Sequence, residues 1–194
     1  MKRLFLIVFF ITGSIFAQII DSYSESNYSA GAGYPLYSSE SRIGQSFSNS
    51  GTNILRSAKF YLLRSGVLNG SVYAKLYAHS GTYGTSSVGT GTALATSDAI
   101  PASSISTSIG LISFGFSTSY TLINGVKYVI SVEYTGGDGG NYLVVGVDES
   151  SPTHSGNASY YTGGWNAVSD KDCIFYVSTE AVATTFVPII TFIE

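Results

Sequence analysis

The chain has 194 residues, only 11% of them charged, and a formal net charge of −3. That length fits one sizeable domain with appendages, and the weakly acidic balance leaves no basic footprint for nucleic acid. Gly (22), Ser (32) and Thr (17) stand beside 15 Tyr, 11 Phe, 4 Pro and a single Met, a bias that excludes a coiled coil, a helical bundle and a collagen-like rod and carries enough aromatic and β-branched surface to exclude general disorder.

Residues 1–17 open with Lys2 and Arg3, continue through an apolar run over 4–11 and reach small residues before Ala17. This is the pattern of a secretory signal peptide cut after Ala17. As a helix, residues 4–17 would span about 21 Å against a hydrocarbon core of ~30 Å, too short for a membrane anchor. The mature chain is then secreted or held at the cell surface, with no membrane segment. Residues 18–41, rich in Ser, Tyr and Gly, read as an extended lead-in that packs along the domain.

From residue 42 onward period 2 dominates, and no helical apolar stripe of ten residues appears. Strands are expected at 43–47, 54–64, 71–78, 93–97, 111–116, 127–134, 142–147 and 173–178. In 71–78, Val72, Ala74, Leu76 and Ala78 share one face and Tyr73, Lys75 and Tyr77 the other; in 127–134, Tyr128, Ile130, Val132 and Tyr134 alternate with Val129, Ser131 and Glu133. Both read as half-buried antiparallel strands. Turn-rich stretches separate them, including Asn124-Gly125 and residues 80–91, 135–141 and 148–157. The pattern predicts an all-β domain over 42–181, two packed antiparallel sheets of jelly-roll or Greek-key type resembling a carbohydrate-binding module, with a closed barrel as the alternative. Residues 182–194 form an apolar C-terminal strand, either the last of the sheet or one offered to a neighbouring copy in self-association, and Pro188 favours an edge position. Cys173 is the only cysteine, so no intrachain disulfide forms, and its apolar run marks it as a small buried hydrophobe.

The segment Ile43-Gly44-Gln45-Ser46-Phe47, Gly66, Ala93-Leu94-Ala95 with Ser97, and Leu122 to Tyr128 form a set with Tyr134-Thr135-Gly136-Gly137-Asp138, Asn141-Tyr142, Asp148, Ser151 to Asn157, Trp165 and Phe175-Tyr176-Val177. Over roughly residues 43–178 this set resembles the "choice-of-anchor" type domains of bacterial surface proteins and related phage tail and virion modules. The resemblance implies a non-catalytic jelly-roll module displayed outside the cell, used in adhesion or as a surface protein. It carries no ligand and no functional residue with it.

Catalysis has little to build on. His79 and His154 are the only histidines, neither lies near a Gly-x-Ser-x-Gly elbow, and Glu133 and Glu149 are not placed by spacing as a glycosidase pair. Calcium is the one cofactor the loops suggest, through Asp138, Asp148, Glu149, Asp170 and Asp172, with turn hydrogen bonding as the alternative role of these residues. A glycan or other surface polymer is the expected partner. Its ligand-binding residues are Asp138, Asn141, Asp148, His154, Asn157, Tyr161 and Trp165, because planar amides and carboxylates orient hydroxyls while aromatic rings stack on the apolar face of a sugar. Trp165, the only Trp, has a second reading as a core residue plugging the end of the sandwich. The alternative function is a structural or adhesive subunit of a surface layer, filament or virion assembling through its terminal strands.

Overall fold

The computed structural model describes residues 18–38 and 41–179; the expected signal peptide and the apolar segment 182–194 lie outside them. The described chain is an all-β sandwich. Its strands are β1 (Ile19–Tyr23), β2 (Gly33–Leu36), β3 (Arg42–Ser48), β4 (Asn53–Ser65), β5 (Ser71–Ser80), β6 (Val88–Thr96), β7 (Ile100–Pro101), β8 (Gly110–Leu122), β9 (Lys127–Glu133), β10 (Tyr142–Asp148), β11 (Ala158–Tyr161), β12 (Trp165–Val168), β13 (Asp172–Cys173) and β14 (Phe175–Thr179). The first sheet runs β1-β14-β4-β10-β13, with β8 also on β4 and β2 also on β10; the second runs β12-β11-β3-β9-β5-β6, with β7 on β5. Every strand pairing among the described residues is antiparallel, from Ile19↔Ser178 to Ala78↔Tyr128.

The expected lead-in contributes strands of its own. β1 pairs with β14 and β2 with β10, so residues 19–23 and 33–36 belong to the first sheet rather than lying along it. Low alternation concealed them, because Ser, Tyr and Gly at these positions give no apolar period. The hairpin β11–β12 is likewise a regular pair, Ala158↔Val168 through Tyr161↔Trp165, inside a stretch whose turn residues dominate its sequence.

Alternation builds the core. From the first sheet Phe60, Leu62, Phe114, Leu143, Val145, Phe175 and Val177 face Ile43, Phe47, Val72, Ala74, Leu76, Ile130 and Val132 of the second, all fully buried. Each such side chain contributes roughly 1.5–3 kcal/mol of burial free energy before entropy is charged against it.

The second sheet departs from a simple half-buried pattern. Val129, Ser131 and Glu133, on the face of β9 directed away from the core, are buried as well. The cause is a roll of the sheet toward that face. Trp165 of β12 and Tyr77 of β5 are four strands apart, about 19 Å in a flat sheet, yet their rings lie 5.4 Å apart. At the sheet's edges, a Cβ on Gly89 of β6 would stand 2.7 Å from Cε2 and 2.9 Å from Cζ2 of Trp165. Asn157 completes the clasp: its Oδ1 accepts the Ser87 amide at 3.0 Å and its Nδ2 donates to the Ser87 carbonyl at 3.1 Å.

Gly89→Val would insert a side chain where the indole lies. The substitution is expected to cost about 1–3 kcal/mol by overpacking and to shift the emission of Trp165, the chain's only Trp. Urea unfolding followed by fluorescence checks both; unchanged stability and emission would mean that the edges do not meet.

Candidate functional site

The outer face of the first sheet holds an open depression of about 370 Å³ lined by Gly31, Gly33, Pro35, Tyr37, Gly139, Tyr142 and Val144. Strand alternation creates it. Leu143 and Val145 of β10 point into the core, so Tyr142 and Val144 point outward, and the register Val144↔Pro35 and Gly146↔Gly33 lays β2 beside them. The rings of Tyr37 and Tyr142 stand 6.2 Å apart at 58°, forming a V rather than a stack. None of the lining residues is charged. The floor is glycine and proline backbone, the walls are half-buried tyrosine faces, and this combination accommodates the apolar face of a small ring while offering phenol and backbone groups at its edge.

Two of the expected ligand-binding residues border this depression. Asp138 and Asn141 close the turn that carries Gly139: Asp138 Oδ1 accepts the amides of Gly140 at 2.8 Å and Asn141 at 2.9 Å, and Asn141 Oδ1 accepts the Val67 amide at 2.9 Å. The Gly140 amide first, then the Asn141 side chain and amide, hold the Asp138 carboxyl below its usual value. Both side chains thus shape the loop.

Asp148 and His154 lie elsewhere, at a polar knot where β13 meets β3. Asp148 Oδ2 accepts Tyr23 Oη at 2.8 Å, and its Oδ1 accepts Ser29 Oγ at 2.8 Å and the amides of Ser150 at 3.0 Å and Ser151 at 3.2 Å. His154 Nδ1 accepts the Gly156 amide at 3.0 Å and Gln45 Nε2 at 3.1 Å. A backbone amide only donates, so Nδ1 carries no proton and the neutral ring bears its hydrogen on Nε2, directed at Asp21 Oδ1, 3.2 Å away. Gln45 also donates to Asp172 Oδ1 at 2.8 Å and accepts the Cys173 amide at 2.9 Å. Burial raises the Asp172 carboxyl, and burial pushes the Cys173 thiol up, as its place in the core requires.

Asn157 is the clasp described above, and Tyr161 and Trp165 belong to the rolled face. Trp165 meets Tyr77 and Tyr161 edge-on at 5.4 and 5.7 Å, and the Arg42 guanidinium lies 4.3 Å from the Tyr161 ring centroid. The seven expected residues are therefore divided among a loop, a buried knot, a clasp and an aromatic cluster. Sequence reasoning missed Arg42 and gave Glu133 no binding role. Glu133, 4% exposed, takes Lys75 Nζ at 2.7 Å and Arg42 Nε at 3.3 Å and accepts Tyr77 Oη at 2.6 Å. Burial first, then this hydrogen bond, raises the Tyr77 phenol. The available signal was that Tyr73, Lys75 and Tyr77 alternate on one face of β5; the pairing Arg42↔Glu133 exists only across strands.

Among the described residues no group of three His, Cys, Asp or Glu side chains is placed to hold a metal ion, and no helix is long and apolar enough to cross a membrane. Of the loop acids expected for calcium, Glu149 pairs with Lys171, while Asp138 and Asp148 make the turn hydrogen bonds given above. Comparison with protein-family models, curated proteins and solved structures finds no match.

The Asp148 carboxyl supplies a pH dependence. Burial acts to raise it, but the hydrogen bonds from Tyr23, Ser150, Ser29 and Ser151 outweigh burial and hold it well below its unfolded value of 3.8. Its stabilisation is fully present above that value and is lost as pH falls through the lower folded value. Asp148→Asn is expected to cost about 1–3 kcal/mol at pH 7 and to flatten the loss of stability below about pH 4. Denaturant titrations from pH 7 to 2 check this; an acid slope identical to the wild type contradicts the assignment.

Proposed function

We propose that this protein is a secreted, non-catalytic β-sandwich that binds carbohydrate or another extracellular surface polymer, with the Tyr37–Tyr142 depression as its contact. The observation that carries this reading is an open, uncharged, tyrosine-walled depression on a sheet face. A neutral sugar ring is recognised there by its apolar face, and its hydroxyls reach the phenols and the Gly139 turn that Asp138 and Asn141 hold in shape. Display outside the cell accords with the basic-apolar-small pattern of residues 1–17.

A binding role also agrees with how the histidines are used. His154 is spent on Gln45, Gly156 and Asp21. His79 Nε2 lies 2.9 Å from Ser87 Oγ, but Ser87 is fully buried and its hydroxyl also receives the Gly84 amide, which suits a turn rather than a nucleophile. The alternative, assembly through the terminal strands, draws on β1, which ends the strand order of the first sheet and, among the described residues, pairs with β14 alone.

Tyr142→Ala and Tyr37→Ala are each expected to weaken binding of neutral oligosaccharides about tenfold, the scale of one lost aromatic contact of ~1.4 kcal/mol. A glycan array with calorimetry on the hits, run beside sedimentation and circular dichroism of the same samples, measures this. Binding unchanged in both variants, or no glycan binding by a protein that sediments as oligomers, overturns the reading in favour of assembly.

A further inference from the structure

The chain holds two Asn-Gly steps, Asn69-Gly70 and Asn124-Gly125, and the fold treats them differently. Such a step is open to attack by its own glycine amide on the asparagine side chain, because glycine has no Cβ to block the approach. At Asn124 both reactants are tied: Oδ1 accepts the Gly51 amide at 2.7 Å, and the Gly125 amide donates to the Asn49 carbonyl at 2.8 Å. At Asn69, in the turn between β4 and β5, they are free to meet. Both residues are exposed, and among the described residues neither the Asn69 carboxamide nor the Gly70 amide has a hydrogen-bond partner. Gly70 sits at φ +80° with nothing within 4 Å of where a Cβ would stand.

The Asn69 backbone carbonyl is engaged by a fixed donor. Its oxygen accepts Tyr134 Oη at 3.0 Å, and Tyr134 is buried in the core. A donor at that oxygen draws electrons from the carbonyl carbon and steadies the negative charge that an attacking water develops there. The chain is held on either side of the turn. Leu68 and Val72 lie in the core, the Gly70 carbonyl accepts the Ala102 amide at 2.9 Å, and Ser71 and Val72 pair with Pro101 and Ile100 of β7.

We propose that Asn69 is a site of spontaneous covalent modification, converted by water mainly to isoaspartate. The Gly70 nitrogen bonds to Asn69 Cγ and the Cγ–Nδ2 bond breaks; ammonia leaves with the Gly70 amide proton, and a five-membered succinimide remains. Water then adds to one of the two ring carbonyls and returns a proton to the Gly70 nitrogen. Addition at the carbonyl facing Tyr134 breaks its bond to that nitrogen, so the main chain runs through Cβ and Cγ and the former backbone carbonyl becomes a free carboxylate. Addition at Cγ gives ordinary aspartate. Either acid makes a chain of net charge −3 one unit more negative. The iso form also inserts a carbon into a backbone pinned at Leu68 and Val72, which loosens the start of β5.

The test ages the purified protein at mildly alkaline pH, folded and in urea, and follows intact mass, peptide maps and labelling by an isoaspartyl methyltransferase. Expected in the folded protein is conversion at Asn69 about tenfold faster than at Asn124, the factor that one or two protecting hydrogen bonds carry. In urea the two sites should convert at similar rates. The isoaspartate share at Asn69 should be higher in the folded protein than in urea, and Tyr134→Phe should return it to the urea value. Asn69→Gln, whose longer side chain closes only a slower six-membered ring, should remain unconverted at that position. Aged wild type should melt several degrees lower than fresh protein, whereas fresh Asn69→Asp should melt with the wild type, because charge alone leaves the backbone intact. Equal rates at Asn69 and Asn124 in the folded protein, no conversion at Asn69 where the chain in urea converts, an isoaspartate share no higher than in urea, or aged protein that melts as fresh protein does overturns the proposal.

Discussion

The carboxamide of Gln45 sits between the two sheets, fully buried, with Ile43 and Phe47 of the same strand in the apolar core on either side of it. Its oxygen accepts the Cys173 amide and its nitrogen donates to Asp172 and His154, so one side chain of the second sheet satisfies polar groups of β13 in the first, where no strand ladder joins the two. His154 then passes the connection to Asp21 of β1, and Asp21 Oδ2 accepts the Ser48 amide of β3. Removing one member of such a network leaves buried donors and acceptors unpaired, which costs more than any single bond contributes. The positions of β1, β13 and the 149–157 connection all follow from this knot.

With the core face of the second sheet fixed, its other face is free to roll. Gly89 permits the indole of Trp165 to lie on the opposite edge, and Asn157 locks that approach with two hydrogen bonds to the Ser87 backbone. Rolling draws Glu133 out of water, and a buried carboxylate persists only with partners; Lys75, Arg42 and Tyr77 supply them. The first sheet is different in kind. The residues around Tyr142 that line its depression are uncharged, whereas the rolled face of the second sheet carries the Arg42–Glu133–Lys75 cluster beside its aromatic rings.

Alternating apolar residues in β5 and β9 were enough to read Val72, Ala74, Leu76, Ile130 and Val132 as core, because period 2 against a single buried face leaves one register. The same rule failed for Val129, Ser131 and Glu133, since it assumes that the second face meets water. β1, β2, β11 and β12 carried no such period; their order comes from hydrogen bonding to neighbours far along the chain, as in Tyr23↔Phe175 and Tyr161↔Arg42. The loops over 135–172 were legible as polar and aromatic, but not the division of labour within them: Asn157 and Trp165, eight positions apart, meet Ser87, just before β6, and Gly89 within it, which sequence spacing does not connect to them.

The sequence by itself determined the all-β class, the strands with a strong alternation, the buried thiol of Cys173 and the reliance on hydroxyl, amide and aromatic groups rather than charge, because each of these depends only on composition or on neighbours within one strand. The tertiary structure alone decided that Gln45 joins the sheets, that Arg42 meets Glu133, and that Tyr37 and Tyr142 share a depression. Those pairings are set by register and by the roll of a sheet, which are properties of several strands acting together.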